Sequence, residues 1–483
     1  MSLRSQTISG VLWTGMAKMT MQLMLIAVQL VLARLLSKAD FGIVGMAGLV
    51  TVAIGMVNDK GLGTSVIQKK TIRDSELSTM FWISLVFGLL LYLVSFAASF
   101  PLSIFFRNDT VQPVISVIAL GFVIGGFGIV PKSILTREMA FKRLAIIEII
   151  SVSLSGIIAV TLAFLGWGVW SLVANVLLRD SFMVIALWFA CPWRPRLHYS
   201  HSEFKSFFQF SANVLSNDVM IYLVMNADIT IVGRILGETA LGLYTWALYM
   251  VKLPVQRISG IVAKVVFPAF SKVQDGIQTF QRGYLRAMTY ISLITFPILI
   301  ILGVYAQEFI LVFVTDKWIN VVVPLQILIP MAMLKSVGTI KGSVLMAVGR
   351  PDIELKWNCF YLLPLAGCVW LGTRWGIIGV AAAFTALYVV TWPVIQDITN
   401  RQINVTPKLF GSAFTATGPA SLVLFAGGGF FRYVLVHIWN WQSVFVLIAG
   451  GIVSSALYLA MIFWLDASLL TEWKTMIKQR KKI

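Results

Sequence analysis

Five charged residues stand well inside long apolar stretches of the sequence, where a charge is costly, and a sixth, Asp228, lies near the outer end of one. They are Lys18, Arg179, Asp180, Asp218, Asp228 and Lys335. A charged side chain at the centre of a bilayer costs roughly 2.5–3.5 kcal/mol on insertion scales, so it is kept where it faces a cavity or a partner. These residues are therefore our candidates for binding or transport chemistry.

Arg179 and Asp180 are adjacent in the sequence and lie midway along one predicted helix. Because successive helical residues point about 100° apart around the axis, we expect the two side chains to face different environments. One would form a bridge within its bundle and the other would meet a cavity. The alternative is a buried local pair between the two residues.

Residue types that bind metals or catalyse reactions follow no recognisable spacing. Cys191, Cys359 and Cys368 are scattered, as small apolar packing residues are. His198 and His201 share a polar connection and lack the further ligands that a zinc site needs. We therefore expect no metal, no cofactor and no catalytic residue, and a protein that is not an enzyme.

The elements that must position the six charges are membrane-spanning helices. The 483 residues are 58% hydrophobic and 12% charged, whereas roughly one quarter of a soluble domain is charged. Apolar windows of about 20 residues recur along the whole chain. They predict fourteen spans, near 9–33, 41–58, 78–99, 112–133, 144–165, 168–190, 207–230, 238–259, 285–305, 320–346, 355–372, 376–396, 409–431 and 443–464.

The basic residues alternate between the two sides of these spans. On the side of the amino terminus, both tails, the connections and the span ends next to them hold 28 of the 38 Lys and Arg residues, and the opposite side holds 7. Because Lys and Arg resist translocation, this bias predicts that both termini are cytoplasmic. The net charge of +18 therefore reflects topology and membrane lipids, and we expect no nucleic-acid partner.

Two sequence echoes predict an internal repeat. The segment 32–42 (LARLLSKADFG) shares Arg, Leu and Gly with 232–242 (VGRILGETALG), at an offset of 200 residues. A second echo pairs 166–173 (GWGVWSLV) with 374–381 (RWGIIGVA), at an offset of 208. We expect two parallel six-helix lobes, 1–199 and 200–400, and two further helices with a basic tail in 401–483.

Several segments resemble a known family of membrane transporters. They are 32–42, 61–68 (GLGTSVIQ), 166–173 and 266–275 (VFPAFSKVQD), and 226–237 (NADITIVGRILG) looks like the opening of the family's second lobe. From about residue 8 to 400 the chain resembles the oligosaccharide-lipid flippases. These form the polysaccharide transporter branch of the multidrug/oligosaccharidyl-lipid/polysaccharide exporter superfamily.

The resemblance implies an all-α fold, a V-shaped pair of lobes and alternating access. It also implies a substrate in which a polyprenyl pyrophosphate carries a short sugar repeat unit, moved from the cytoplasmic to the outer leaflet of a bacterial inner membrane. A proton or sodium gradient would drive the transport. The protein would act as a monomer, with a polysaccharide polymerase as a partner.

This substrate gives the six charges expected roles. Lysine and arginine complement the charge of a pyrophosphate in a low-dielectric cleft. A partly buried carboxylate changes protonation when a cavity opens or closes. The expected head-group contacts are Lys18, Arg179 and Lys335, and the expected gating or ion-coupling residues are Asp218, Asp228 and Asp180.

Lys18 and Asp218 occupy equivalent places in the repeat, because the offset of 200 aligns them. In the family the first and seventh helices line the cleft, so these opposite charges would pair across it when one side closes. We therefore expect a gate between the lobes. The alternative is that Lys18, two to three turns from the end of its helix, extends to the membrane surface.

Two competing functions remain open at this stage. An ion-coupled multidrug exporter of the same superfamily would place acidic residues at the centre of its cavity, and the deep charges here are of both signs. A membrane polysaccharide polymerase or glycosyltransferase would need a sizeable external catalytic loop. The connections predicted on the outer side are all short.

Overall fold

The computed structural model describes residues 3–59, 72–198, 200–260 and 276–466, with the side chains of 3–18, 53–59 and 201–219 outside the description. The described residues are overwhelmingly helical, and none of them forms a strand. A helix satisfies its backbone N–H and C=O groups within one segment, as a bilayer requires of a spanning chain. The expected all-α membrane fold is confirmed.

The chain forms two compact units, and the first extends from Met1 to Gly242. A single residue, Ala119, separates its fourth and fifth helices, which together fill one predicted span. Its helices are α1 (Leu3–Leu35), α2 (Lys38–Asp59), α3 (Asp74–Phe106), α4 (Val111–Ile118), α5 (Leu120–Arg137), α6 (Phe141–Phe164), α7 (Val169–Ala190) and the first part of α8 (His201–Pro254).

The second unit extends from Leu243 to Ile483, so the two units divide within α8. Short π and 3₁₀ turns at Val255–Ser259, Asp316–Val321, Thr373–Trp375 and Val434–Ile438 connect or extend its helices. These helices are α9 (Ile277–Val304), α10 (Ala306–Phe313), α11 (Val322–Gly338), α12 (Ile340–Ala347), α13 (Pro351–Gly372), α14 (Gly376–Gln402), α15 (Pro407–Ser412), α16 (Thr417–Tyr433) and α17 (Ser443–Leu465).

Ten segments of the described residues are long and apolar enough to cross a membrane. Two of them each contain a pair of predicted spans. Met220–Ser259 is interrupted at Gly237, and Pro351–Gln402 comprises α13 and α14. The ten segments thus account for twelve predicted spans, and α1 and α2 coincide with the remaining two.

The surface of the helices is apolar where lipid would contact it. Phe189, Leu363 and Trp464 are 88%, 78% and 77% exposed. So many exposed large apolar side chains would be unstable in water, and they fit a hydrocarbon environment. The chain is therefore a multi-pass membrane protein.

Serine side chains inside the spans donate hydrogen bonds from their hydroxyl groups to backbone carbonyl oxygens. Ser95 donates to the carbonyl oxygen of Leu91, and Ser151 donates to that of Ile147, each at 2.8 Å. Such bonds satisfy a hydroxyl group without water, so serine is tolerated at membrane depth.

Both sequence echoes coincide with matching backbone features. Gly168 (φ 51°, ψ −129°) precedes α7, and Gly376 (φ 66°, ψ −156°) starts α14 at the offset of 208. At the offset of 200, Ser37 lies between α1 and α2, and Gly237 interrupts α8. The sequence repetition therefore marks positions where helices begin, end or are interrupted. The lobe boundaries after residues 199 and 400 stay predictions.

The connection 191–198 lies along the first unit and is held by hydrogen bonds. The indole Nε1 of Trp82 donates to the carbonyl oxygen of Arg196 at 2.9 Å, and the backbone N–H of Arg196 donates to Ser78 Oγ at 3.0 Å. Arg194 donates to the carbonyl oxygen of Cys191 at 2.6 Å, at the end of α7. This segment is thus part of the packed first unit.

Candidate functional site

Arg179 and Asp180 form an ion pair on α7, with 3.3 Å between Nε and Oδ1. Their side chains are 40% and 32% exposed. The expectation that adjacent residues face different environments was wrong, because a long arginine side chain can bend along the helix surface and bring its guanidinium to its neighbour. The alternative of a local pair is the arrangement found, although the pair is half-buried.

Asp228 is 2% exposed and lies on α8 in the first unit. Its polar neighbours on the same helix bond locally: Asn226 donates to the carbonyl oxygen of Tyr222, and Thr230 donates to that of Asn226, each at 2.9 Å. A buried carboxylate is costly unless it is paired or protonated. Asp228 is therefore the most deeply buried of the candidate carboxylates whose side chains are described.

Lys335 is half-buried and lies on α11 in the second unit. The next residue, Ser336, lies 2.9 Å (Oγ to Oγ1) from Thr295 of α9, and both hydroxyl groups are fully buried. Lys335 thus stands beside the contact of α9 with α11. Of the candidate residues, the structure brings Arg179 and Asp180 together.

The side chains of Lys18 and Asp218 lie outside the described residues. The backbone places Lys18 within α1 and Asp218 within α8. The expected gate between them stays a prediction.

A groove of about 1100 Å³ lies in the second unit, along α9, α11 and α16. It extends along α16 from Gly418 to Arg432, a distance of about 21 Å at roughly 1.5 Å per residue. Large apolar side chains form most of its walls: Phe296, Ile300, Ile329, Met333, Leu422 and Phe425. This shape fits an extended hydrocarbon chain.

One end of the groove is polar. Arg432 lines it and donates from Nε to both carboxylate oxygens of Glu308, at 2.8 and 3.0 Å. The Nη2 group of Arg432 donates to Gln307 Oε1 at 3.0 Å. At the same end, Gln326 donates to the carbonyl oxygen of Gly303 at 2.9 Å. The groove therefore combines an apolar channel with a fixed guanidinium.

Tyr305 joins the last two helices to the rest of the second unit. Its hydroxyl donates to the carbonyl oxygen of Gly428 at 3.2 Å and lies 3.0 Å from Ser454 Oγ, so it bonds α16 and α17. The ring is 1% exposed and lies against Gly450. Of the two appended helices, α16 forms a wall of the groove, and Tyr305 bonds both α16 and α17.

Sequence reasoning did not select Arg432, Glu308 or the groove. Arg432 is one of the 7 basic residues on the side opposite the amino terminus, and its partner Glu308 lies 124 positions away. A usable signal was nonetheless present, because the connections that follow the predicted spans 285–305 and 409–431 are expected on the same side and carry opposite charges.

Known proteins resemble this chain in sequence and in fold. The model of a family described as "Polysaccharide biosynthesis protein" matches residues 31–323. The lipopolysaccharide biosynthesis protein WzxC of Escherichia coli (strain K12) is 28% identical over 426 residues, which cover 86% of this chain and 84% of that protein. The teichuronic acid biosynthesis protein TuaB of Bacillus subtilis (strain 168) is 29% identical over 365 residues, or 75% of each chain.

A solved structure shares the fold. The lipid II flippase MurJ in its inward closed conformation matches with a TM-score of 0.76, covering 95% of this chain and 99% of that one. The two sequences are 14% identical, so the likeness concerns the fold.

Proposed function

The chain belongs to the polysaccharide biosynthesis protein family, and from this premise we propose that it is a flippase for a polyprenyl-pyrophosphate-linked oligosaccharide. It carries the repeat unit of a surface polysaccharide from the cytoplasmic to the outer leaflet of a bacterial inner membrane by alternating access. Both termini are cytoplasmic in this proposal. Two relatives named for polysaccharide biosynthesis and the fold of a lipid flippase support it.

The groove of the second unit is the observation that carries this proposal. A polyprenyl chain is long and apolar, and an apolar channel of about 21 Å can hold a large part of it. A compact drug fits a compact pocket that surrounds it on most sides. The shape of the groove therefore favours a lipid-linked substrate over the alternative of a multidrug exporter.

The groove cannot hold the chain by hydrophobicity alone. Lipid tails are as apolar as its walls, so transfer from the bilayer gains little free energy. Affinity must come from the polar end of the substrate. Lys18, Arg179 and Lys335 serve as head-group contacts in this proposal, and the half-exposed Arg179 can exchange Asp180 for a phosphate oxygen.

The carboxylates couple transport to an ion gradient. Asp228 is buried on α8, and the proposal places the coupling ion at this carboxylate. Asp180 is released whenever Arg179 binds substrate, and Asp218 closes the gate with Lys18. The coupling ion is a proton or sodium, the protein acts as a monomer, and a polysaccharide polymerase receives its product.

Reconstituted vesicles test this function. The purified chain is placed in vesicles that carry a fluorescent polyprenyl-pyrophosphate oligosaccharide, and transfer between leaflets is followed by the access of a membrane-impermeant quencher. We expect transfer that depends on the protein, that accelerates under a proton or sodium gradient, and that leaves the lipid chemically unchanged.

Other outcomes would identify another function. If the lipid-linked sugar is not transferred under any ion gradient and amphipathic cations are exported, the result would support the multidrug exporter. A lengthened or cleaved sugar chain in the recovered lipid would indicate a polymerase or glycosyltransferase.

A further inference from the structure

The polar end of the groove has the features of a phosphate site. Arg432 borders the groove, and its side chain is 26% exposed, whereas that of Glu308 is 4% exposed. The arginine thus reaches the open space, and the carboxylate lies behind it. We propose that Arg432 binds the pyrophosphate of the lipid-linked substrate after it has crossed to the outer leaflet.

The hydrogen bonds of Arg432 leave donors for this ligand. A guanidinium carries five N–H groups. Among the described residues, the contacts of Arg432 use the Nε hydrogen and one hydrogen of Nη2. Three N–H groups therefore remain, and a planar guanidinium suits the oxygens of a phosphate.

The position along the chain agrees with the depth of lipid head groups. Arg432 is the penultimate residue of α16, and Trp439 and Trp441 follow at 54% and 42% exposure. Tryptophan is enriched at the membrane–water interface. A substrate whose chain lies in the groove would therefore have its charged group beside Arg432.

Glu308 sets the strength of the site. Its charge holds the guanidinium in place, which lowers the entropic cost of binding. It also neutralises most of the positive charge, so a pyrophosphate is bound weakly enough to leave. Such an ion pair suits a binding site from which the substrate must be released.

Opposite effects of two substitutions that each remove a charge test this site, which rests on the proposed function. Binding of geranylgeranyl pyrophosphate to the full-length protein in detergent is measured for the wild type, Arg432→Gln and Glu308→Gln. We expect Arg432→Gln to weaken binding about tenfold, as the loss of charge-assisted hydrogen bonds predicts. Glu308→Gln should tighten binding, and neither change should alter binding of the uncharged geranylgeraniol.

A structural ion pair without a ligand would behave differently. In that case both substitutions would lower the melting temperature of the protein alike and leave the pyrophosphate affinity unchanged, which overturns the proposal. Arg374, another arginine of the second unit, is the matched control, because it lies over the ring of Trp370 outside the groove. An equal loss in Arg374→Gln would also overturn the site.

The same binding measurement separates this site from a site for bulk lipid. Phosphatidylglycerol that competes at equal affinity would make the groove a phospholipid site and overturn the proposal. Binding that depends on Arg432 in a protein that fails to move substrate in vesicles would support the phosphate site and contradict the flippase. Leaflet transfer that Arg432→Gln leaves unchanged, with unchanged binding, would support the flippase and contradict the phosphate site.

Discussion

Gly42 and Gly242 lie 200 positions apart, and each packs against the backbone that precedes the other. A Cβ atom at Gly42 would collide with the carbonyl oxygen of Glu238, and one at Gly242 would collide with that of Lys38. Lys38 and Glu238 are themselves 200 positions apart. The contact is therefore reciprocal, and the start of α2 crosses the corresponding part of α8 with local two-fold symmetry.

This crossing predicts that a single methyl group at either glycine is destabilising. Gly42→Ala and Gly242→Ala should each lower the stability by about 1–3 kcal/mol, because backbone atoms cannot move aside as a side chain can. Thermal unfolding in detergent measures the effect through the fluorescence of the 16 tryptophans. Gly48→Ala on α2 is the control, since its Cβ would meet no atom within 4 Å. Equal melting temperatures for Gly42→Ala and Gly48→Ala would contradict the crossing.

Filling the groove should block transport. Gly429 lines the groove, and a Cβ atom there would meet no atom within 4 Å, so the side chain of Gly429→Phe starts in open space. We expect the rate of leaflet transfer to fall to a small fraction of the wild-type rate at unchanged melting temperature. A Cβ atom at Gly451 on α17 likewise meets no atom within 4 Å and lies outside the groove, so Gly451→Phe should transport normally. Full activity of Gly429→Phe would remove the groove from the substrate path.

The contact of Tyr305 with Gly450 should anchor the last two helices. Gly450→Ala places a methyl group against the Tyr305 ring and should cost about 1–3 kcal/mol of stability. The neighbouring Gly451→Ala, which has open space, should cost nothing. Limited proteolysis and melting in detergent compare the two variants. If the two alanine variants prove equally stable, Tyr305 is not the anchor.

The proposed gate predicts a rescue by charge exchange. Lys18→Asp and Asp218→Lys should each reduce transport, because each places like charges at equivalent depths of the repeat. The double exchange restores the attraction and should recover part of the activity. Vesicle transport at matched protein density measures all three variants. A double variant that is no better than the two single ones, or single variants with full activity, would exclude the pair.

The Arg179–Asp180 pair should matter for transport more than for stability. Because the pair is half-exposed, breaking it with Arg179→Gln should change stability by less than about 1 kcal/mol. Transport should fall strongly if Arg179 contacts the pyrophosphate. Asp180→Asn leaves the arginine in place and provides the comparison. A loss of folded protein in Arg179→Gln, with normal transport by the remainder, would point to a structural role.

Sequence patterns predicted the helices well because a membrane imposes a length and an apolar composition on each span. The main difference lies at a break inside a span, because α4 and α5 share one predicted span and are separated at Ala119. Hydropathy averages over about 20 residues and therefore does not detect a break of one residue. The break at Gly237 lies between the predicted spans 207–230 and 238–259, in agreement with the sequence. The repeated glycine at positions 168 and 376 was a reliable sign of equivalent backbone positions, because a positive φ favours glycine at both.

The candidate site was harder to predict from sequence. Its mid-span charges are visible as exceptions to an apolar background, but a groove depends on the sizes of side chains on three helices that are distant in sequence. Glu308 and Arg432 lie near helix ends, where charges are ordinary, so neither residue was conspicuous. The contact of Arg179 with Asp180 depends on side-chain rotamers, which helical periodicity does not specify.

The bonded connection between α7 and α8 has a consequence for experiments that divide the chain. Because Arg196 is fixed by Trp82 and Ser78, a peptide bond cut just after His198 would leave the whole connection attached to the amino-terminal fragment. Two separate genes, one encoding residues 1–198 and the other the rest of the chain, could thus encode the protein as two fragments. Coexpression of such fragments offers a route to label one half at a time for spectroscopy.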